Sequence, residues 1–303
     1  MNPSLEKLHS YPFAKLRALL DGVTVSTKNE PVMLTVGEPQ AQPPQFVLDV
    51  LRSETDSVNR YPTVQGLLSL RESISGWLAS RYAIPARLID SEKNILPLQG
   101  SREGLFAIAQ VVVDNQKNEK PIVVMPSPFY QIYEGAAILA GAEPLYISCD
   151  NASGFAMDLS QVSNEQWQRC QLVYLCSPSN PTGYVAGHKD YEELLELADR
   201  FDFVVVSDEC YSEVYCNEEQ PCVGLLEVCK ALGRDDFSRC LIFNSLSKRS
   251  NLAGMRSGFV AGDAQLISAF LRYRTYHGSA MPTHHQLASI AAWQDEEHVV
   301  QNR

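Results

Sequence analysis

Residues Asn244 to Arg256 read N-S-L-S-K-R-S-N-L-A-G-M-R. Lys248 sits among Ser245, Ser247 and Ser250, with Arg256 eight residues on. Serine hydroxyls can donate to an anion, and an arginine fork can grip it. A lysine amine held beside such an anion could attack an electrophile. A solvated loop with a surface lysine would use the same residues, so the stretch alone decides nothing.

Three other clusters raise similar choices. Gly100-Ser101-Arg102 precedes a helical run from Leu105. Free backbone N–H groups at a helix start bind anions, although a Ser N-cap and a tight turn explain the same residues. Asp208 ends an apolar run, where a carboxylate is costly unless paired. It could cap a helix, join a core salt bridge, or face a cationic ring nitrogen and keep it protonated. Asn180-Pro181-Thr182-Gly183 makes a turn, and its Asn amide could also donate to a phenolate-like oxygen. Pro128-Phe129-Tyr130 could be plain packing or an aromatic stacked on a flat ring.

The elements that must position these residues are legible as short apolar runs. Leu96 to Leu98, Ile122 to Met125, Leu172 to Leu175, Phe203 to Val206 and Leu241 to Phe243 suggest strands buried on both faces, and Gly258 to Val260 is a further run. Helical stretches lie between, at Ile132–Gly141, Tyr191–Phe201 and Gly224–Leu232. The alternation predicts an α/β fold with a largely parallel sheet. Such sheets bind ligands beyond the carboxyl ends of their strands, where the polar clusters fall. Thr283 to Trp293 reads as a helix with an apolar stripe of Leu287, Ile290 and Ala291. A short second helix is expected after Asp295-Glu296-Glu297, with no cap and no partner element.

The chain has 303 residues, 45% hydrophobic, enough for a large core. Its net charge of −11 argues against nucleic acid as a partner. No run of about 18 apolar residues predicts a membrane span, and no signal pattern opens the chain, so a cytoplasmic location is expected. Eight cysteines without a C-x-x-C pair suggest reduced, mostly buried thiols and no metal site.

The clusters together ask for one ligand with a phosphate, a flat cationic ring, an oxyanion beside that ring, and an electrophile for Lys248. Pyridoxal 5'-phosphate meets all four demands.

The ordered set S-P-S-N-P-T-G, D-E-C-Y, S-L-S-K-R-S-N and G-M-R-S-G resembles the class I/II aminotransferases of fold type I, from Gly37-Glu38-Pro39 to about Arg303. The resemblance implies a mostly parallel sheet in a three-layer α/β/α large domain. It implies that Lys248 binds the cofactor covalently and then moves the substrate Cα proton. Asp208 resembles the acid on the ring nitrogen, Asn180 and Tyr211 the pair on the ring oxygen, and Tyr130 the stacking aromatic. Ser101, Arg102, Ser245, Ser247 and Arg256 resemble the phosphate cup. Tyr61 resembles a tyrosine that reaches the neighbouring subunit's phosphate, which implies a homodimer with shared sites. Gly37 resembles a backbone position near the substrate carboxylate.

The opening Met1 to Leu20 and the segment Pro128 to Ala137 are similar to bacterial succinyl-diaminopimelate aminotransferases, which serve lysine and cell-wall precursor synthesis. They imply an N-succinyl-L,L-diaminopimelate donor and a 2-oxo acid acceptor, usually 2-oxoglutarate. Alternatives are an aminotransferase for another amino acid (aspartate, alanine or acetylornithine), a C–S lyase, or a cofactor-binding module without turnover. The expected division is 1–40 as N-terminal arm and small-domain segment, 41–293 as cofactor-binding domain, and 294–303 as the start of a helix. That helix would lead to a C-terminal small domain largely absent from these residues. The family's arginine for the substrate α-carboxylate is expected to lie beyond them, because Arg272, Arg274 and Arg303 do not match its place.

Overall fold

The computed structural model describes residues 1–24, 32, 37, 39–116, 119–278 and 280–303. The chain forms two compact units, Met1–Glu38 and Pro39–Arg303. In the first, a 3₁₀ turn at Pro3–Lys7 precedes a helix at Pro12–Leu20. Each has proline in its first turn, where no intrahelical N–H is needed. Neither contributes a buried residue.

The second unit is built on a seven-stranded sheet. Its strands are β1 (Ile95–Leu98), β2 (Ile122–Ser127), β3 (Glu143–Ser148), β4 (Cys170–Cys176), β5 (Val204–Asp208), β6 (Cys240–Ser245) and β7 (Gly258–Gly262). The order is β1-β7-β6-β5-β4-β2-β3. From β6 to β3 all pairs are parallel, whereas β7 runs antiparallel to both β6 and β1. The sheet is therefore largely parallel with an antiparallel margin. β3 escaped the sequence reading because it is an edge strand, with Pro144 within it and most of its residues partly exposed.

Alternate strand residues serve two cores, as the pleat requires. Val124, Val173, Val205 and Ile242 pack with the helices Leu68–Arg81, His188–Phe201, Leu225–Ala231 and Thr283–Gln294. Val123, Leu172, Val206 and Leu241 pack with Ser101–Val112, Ile132–Leu139 and Ala264–His277. The unit thus has three layers, α/β/α.

Three local expectations need correction. The helix expected from Leu105 begins at Ser101, with Gly100 as its N-cap and no side-chain cap bond, so Ser101 is not the cap. The helix Thr283–Gln294 buries Gln286, Ala288, Ser289, Ala292 and Trp293, while Leu287, Ile290 and Ala291 are only half-buried. Hydrogen bonds reverse the polarity: Gln286 accepts from Leu67 N–H and donates to Met281 O, and Ser289 bonds Ser257. The last helix, Glu297–Asn302, does have partners. His298 bonds Ser250, Val299 is buried, and Asn302 receives a hydrogen bond from Asn251.

Candidate cofactor site

Strand register gathers the site. Cys176 pairs with Asp208 across β4 and β5, and Asp208 pairs with Phe243 across β5 and β6. The chain beyond each of these ends carries one predicted cluster: Asn180, Tyr211 and Lys248. Across β6 and β7, Ser245 pairs with Gly258, which brings the Arg256 turn beside the Lys248 turn.

Asp208 is buried, 5% exposed. Its carboxylate accepts from the Tyr133 hydroxyl at 2.7 Å and from Cys210 N–H at 3.3 Å. Among the described residues it has no ion pair, so the core salt-bridge reading fails. Burial raises its pKa, and the hydrogen bonds from Tyr133 and Cys210 work against that rise. A carboxylate in such a place lacks a cation, and a protonated ring nitrogen would supply one.

Tyr211 and Tyr130 are half-buried beside it. Burial pushes the Tyr211 phenol up to about 12 and raises Tyr130 as well. Both remain O–H donors at neutral pH, as a phenolate-like ring oxygen requires. Lys248 Nζ lies 5.6 Å from the Tyr211 ring centroid, and the Arg102 guanidinium lies 5.9 Å from the Tyr130 ring. Asn180 is half-buried in a turn closed by Gly183 N–H to Ser179 O at 2.8 Å.

The residues expected to form a phosphate cup come from three segments. Ser101 and Arg102 open a twelve-residue helix whose first N–H groups have no intrahelical acceptor. The Cys210 thiol donates to Ser101 Oγ at 3.0 Å, and Ser245 Oγ donates to the Cys210 sulfur at 3.7 Å. Gly100 has φ +79°, and a Cβ there would run into the Arg256 guanidinium. A Cβ on Gly258 would stand 3.1 Å from Ser101 N. The two glycines keep open a cradle lined by backbone N–H groups, hydroxyls and Arg256, which fits a phosphate. Pyridoxal phosphate therefore fits the residues present: cradle, buried acid, phenols and amine.

The structure thus brings Ser101, Arg102, Tyr130, Asn180, Asp208, Tyr211, Ser245, Lys248 and Arg256 into one region. Ser247 is half-buried on the same turn as Lys248. Tyr61 is fully exposed and away from these contacts. Gly37 is exposed in the first unit.

Sequence reasoning missed Tyr133 and Cys210 as site residues. Tyr133 stacks on Tyr174, 4.6 Å between centroids, which fixes its hydroxyl on Asp208. Tyr130 lies before the helix Ile132–Leu139, so helical spacing gave no signal for Tyr133. Cys210 stood inside D-E-C-Y, but a cysteine there says nothing of which groups it will bridge.

All eight cysteines are free, and six are buried. Among the described residues no cluster of His, Cys, Asp and Glu could hold a metal, and no helix is long and apolar enough to cross a membrane.

The sequence model of the family described as aminotransferase class I and II matches residues 29–303. The LL-diaminopimelate aminotransferase of Moorella thermoacetica is 32% identical over 86% of this chain and 64% of its own length. That of Maridesulfovibrio salexigens is 29% identical over 97% of this chain and 73% of its own. Among solved structures, an aminotransferase from Neisseria meningitidis superposes with a TM-score of 0.94 at 45% identity, over 100% of this chain and 76% of that one. Aminotransferase AspB from Helicobacter pylori gives 0.89 at 38% identity, over 98% and 76%. The chain spans about two thirds to three quarters of the length of these proteins.

Proposed function

Since the chain belongs to the class I and II aminotransferases, which are pyridoxal-phosphate-dependent transaminases, we propose that it moves the amino group of a diaminopimelate-type donor to a 2-oxo acid. The finer reading is N-succinyl-L,L-diaminopimelate as donor and 2-oxoglutarate as acceptor, in lysine and diaminopimelate biosynthesis. The diaminopimelate skeleton is supported by the names of the curated relatives, which act on LL-diaminopimelate. The succinyl group is supported by the resemblance of Met1–Leu20 and Pro128–Ala137.

One observation carries the reaction type: Lys248 and Asp208 lie at the ends of adjacent strands, around one half-buried phenol, Tyr211. When bound, the cofactor supplies a cationic ring that withdraws electrons from the substrate Cα–H bond. Asp208 holds the proton on the ring nitrogen. Asn180 and Tyr211 would donate to the ring oxygen and orient the ring, and Tyr130 would cover one face. Lys248 would hold the cofactor through its amine and, with that amine free, would take the Cα proton as general base. The Ser101–Arg102 backbone, Ser245, Ser247 and Arg256 hold the phosphate. A homodimer, in which exposed Tyr61 reaches a second copy's phosphate and Gly37 borders the substrate carboxylate, completes the proposed site. The cytoplasm is its proposed location.

The test is direct. The purified chain with pyridoxal phosphate should show a visible absorbance band that is absent in Lys248→Ala. Glutamate, aspartate, alanine, LL-diaminopimelate and N-succinyl-LL-diaminopimelate are then offered separately. Loss of the band with the succinylated donor at the lowest concentration supports the finer reading. A preference for free LL-diaminopimelate overturns the succinyl group alone. A preference for aspartate or alanine overturns both.

A further inference from the structure

We propose that Asp295, His298 and Ser250 form a hydrogen-bonded relay that, together with Arg249, positions Lys248 by holding the turn on which it sits. The inference rests on the role given to Lys248 above.

The turn Leu246–Arg249 is a helix of only four residues. So short a helix has no stability of its own, so tertiary contacts must hold it. Several side-chain hydrogen bonds that hold it come from one segment, Ala292 to Asn302. Arg249, fully buried, donates to Ala292 O at 2.8 Å and Asp295 O at 3.2 Å, and pairs with Glu296. Its guanidinium lies 4.8 Å from the Trp293 ring and 5.6 Å from that of Trp77. Asn302 donates to Arg249 O at 3.4 Å and accepts from Asn251 at 2.8 Å.

The relay runs through the middle of this contact. Asp295 Oδ1 lies 2.6 Å from His298 Nδ1, and His298 Nε2 lies 2.8 Å from Ser250 Oγ. Arg249 Nη1 donates to the same Ser250 oxygen at 3.2 Å. One assignment satisfies every group: Nδ1–H donates to Asp295, and the Ser250 hydroxyl donates to Nε2 while accepting from Arg249. It requires a neutral imidazole. Burial and the nearby Arg249 cation both favour that form, against Asp295 and Glu296. The order Asp–His–Ser is that of a hydrolytic triad, yet Ser250 is 0% exposed and no substrate can reach it. The relay therefore acts on the backbone two residues beyond Lys248, not on a substrate.

The experiment uses the full chain loaded with pyridoxal phosphate. Ser250→Ala and His298→Phe each break the relay, and His298→Gln keeps a hydrogen-bonding amide toward Ser250. The readouts are the pH midpoint of the visible band, the rate at which glutamate discharges it, and the melting temperature. The expected result is a midpoint moved by about 0.5 pH unit or more and a rate lowered roughly tenfold in both breaking variants, with recovery toward the parent in His298→Gln. Lower melting temperatures with midpoint and rate unchanged would make the relay merely structural and overturn the proposal. A parent chain without any band overturns the cofactor reading itself, and the relay's role with it.

Discussion

The Tyr133 hydroxyl donates to Asp208 Oδ2 at 2.7 Å, and both side chains are buried. Two opposed influences thus meet at the acid expected to face the ring nitrogen. Burial favours its neutral form, and the phenol favours its charged form. A hydrogen bond to a charged group contributes about 1.5–3 kcal/mol. Tyr133→Phe removes the donor and little volume. It should lower kcat/KM roughly 10- to 100-fold. It should also move the acid limb of the pH–rate profile to higher pH, because Asp208 then takes up a proton more readily. A rate loss with an unmoved acid limb would argue that Tyr133 only packs.

Gly100 stands where the cradle has least room, at φ +79° against the Arg256 guanidinium. Gly100→Ala places a side chain at φ +79° and ψ +154°, a region open essentially to glycine alone, at a cost of about 1–3 kcal/mol, and displaces Arg256. Cofactor affinity should fall by about tenfold or more, read by titrating the apoprotein with pyridoxal phosphate. Gly154 is the control, with φ +60° and nothing within 4 Å of an added Cβ. Gly154→Ala should lower stability slightly and leave cofactor affinity alone.

Arg274 is fully buried and lies 2.7 Å from both oxygens of Glu103, in the first turn of the cup helix. Glu103 Oε1 also accepts from Gln99 N–H at 3.1 Å. The pair therefore ties the helix that offers Ser101 and Arg102 to the helix Ala264–His277. Removing one partner of a buried pair costs about 3–5 kcal/mol. Arg274→Ala should lower the unfolding free energy by that amount, with a lower denaturation midpoint, and weaken cofactor binding. Arg274→Met should recover part of the stability through packing. An unchanged midpoint in Arg274→Ala would show that the pair is not a strut.

The candidate site was legible because the chemistry expected of it demands residue types at strand ends, and strand ends show as stops in apolar runs. Lys248, Asp208 and Asn180 each follow such a stop, and register does bring them together. What stayed hidden depends on side chains that meet across long stretches of sequence. Tyr133 and Asp208 are 75 residues apart. His298 and Ser250 are 48 apart, so the last helix looked partnerless from its own residues. β3 stayed hidden because an edge strand needs no continuous apolar run. The Thr283–Gln294 helix misled for the opposite reason. Its buried face carries Gln286 and Ser289, whose hydrogen bonds make polar residues acceptable in a core.

Glu209 follows Asp208 and is fully buried. It accepts from the Tyr82 hydroxyl at 2.6 Å and from Leu225 N–H at 2.9 Å, with Ser207 and Arg81 also nearby. Burial pushes its pKa up to about 7, against an ordinary 4.5. Between those values the folded protein holds a proton that the unfolded chain has released. Stability is therefore lost as pH rises through that window, by on the order of 3 kcal/mol from this group. Glu209→Gln cannot ionise, so its unfolding free energy should fall less than the parent's between pH 5 and 7.5. Urea denaturation of both apoproteins at the two pH values measures the difference. Equal pH dependence in parent and variant would show that Glu209 is charged throughout, with Tyr82 and Leu225 N–H sufficient to keep it so.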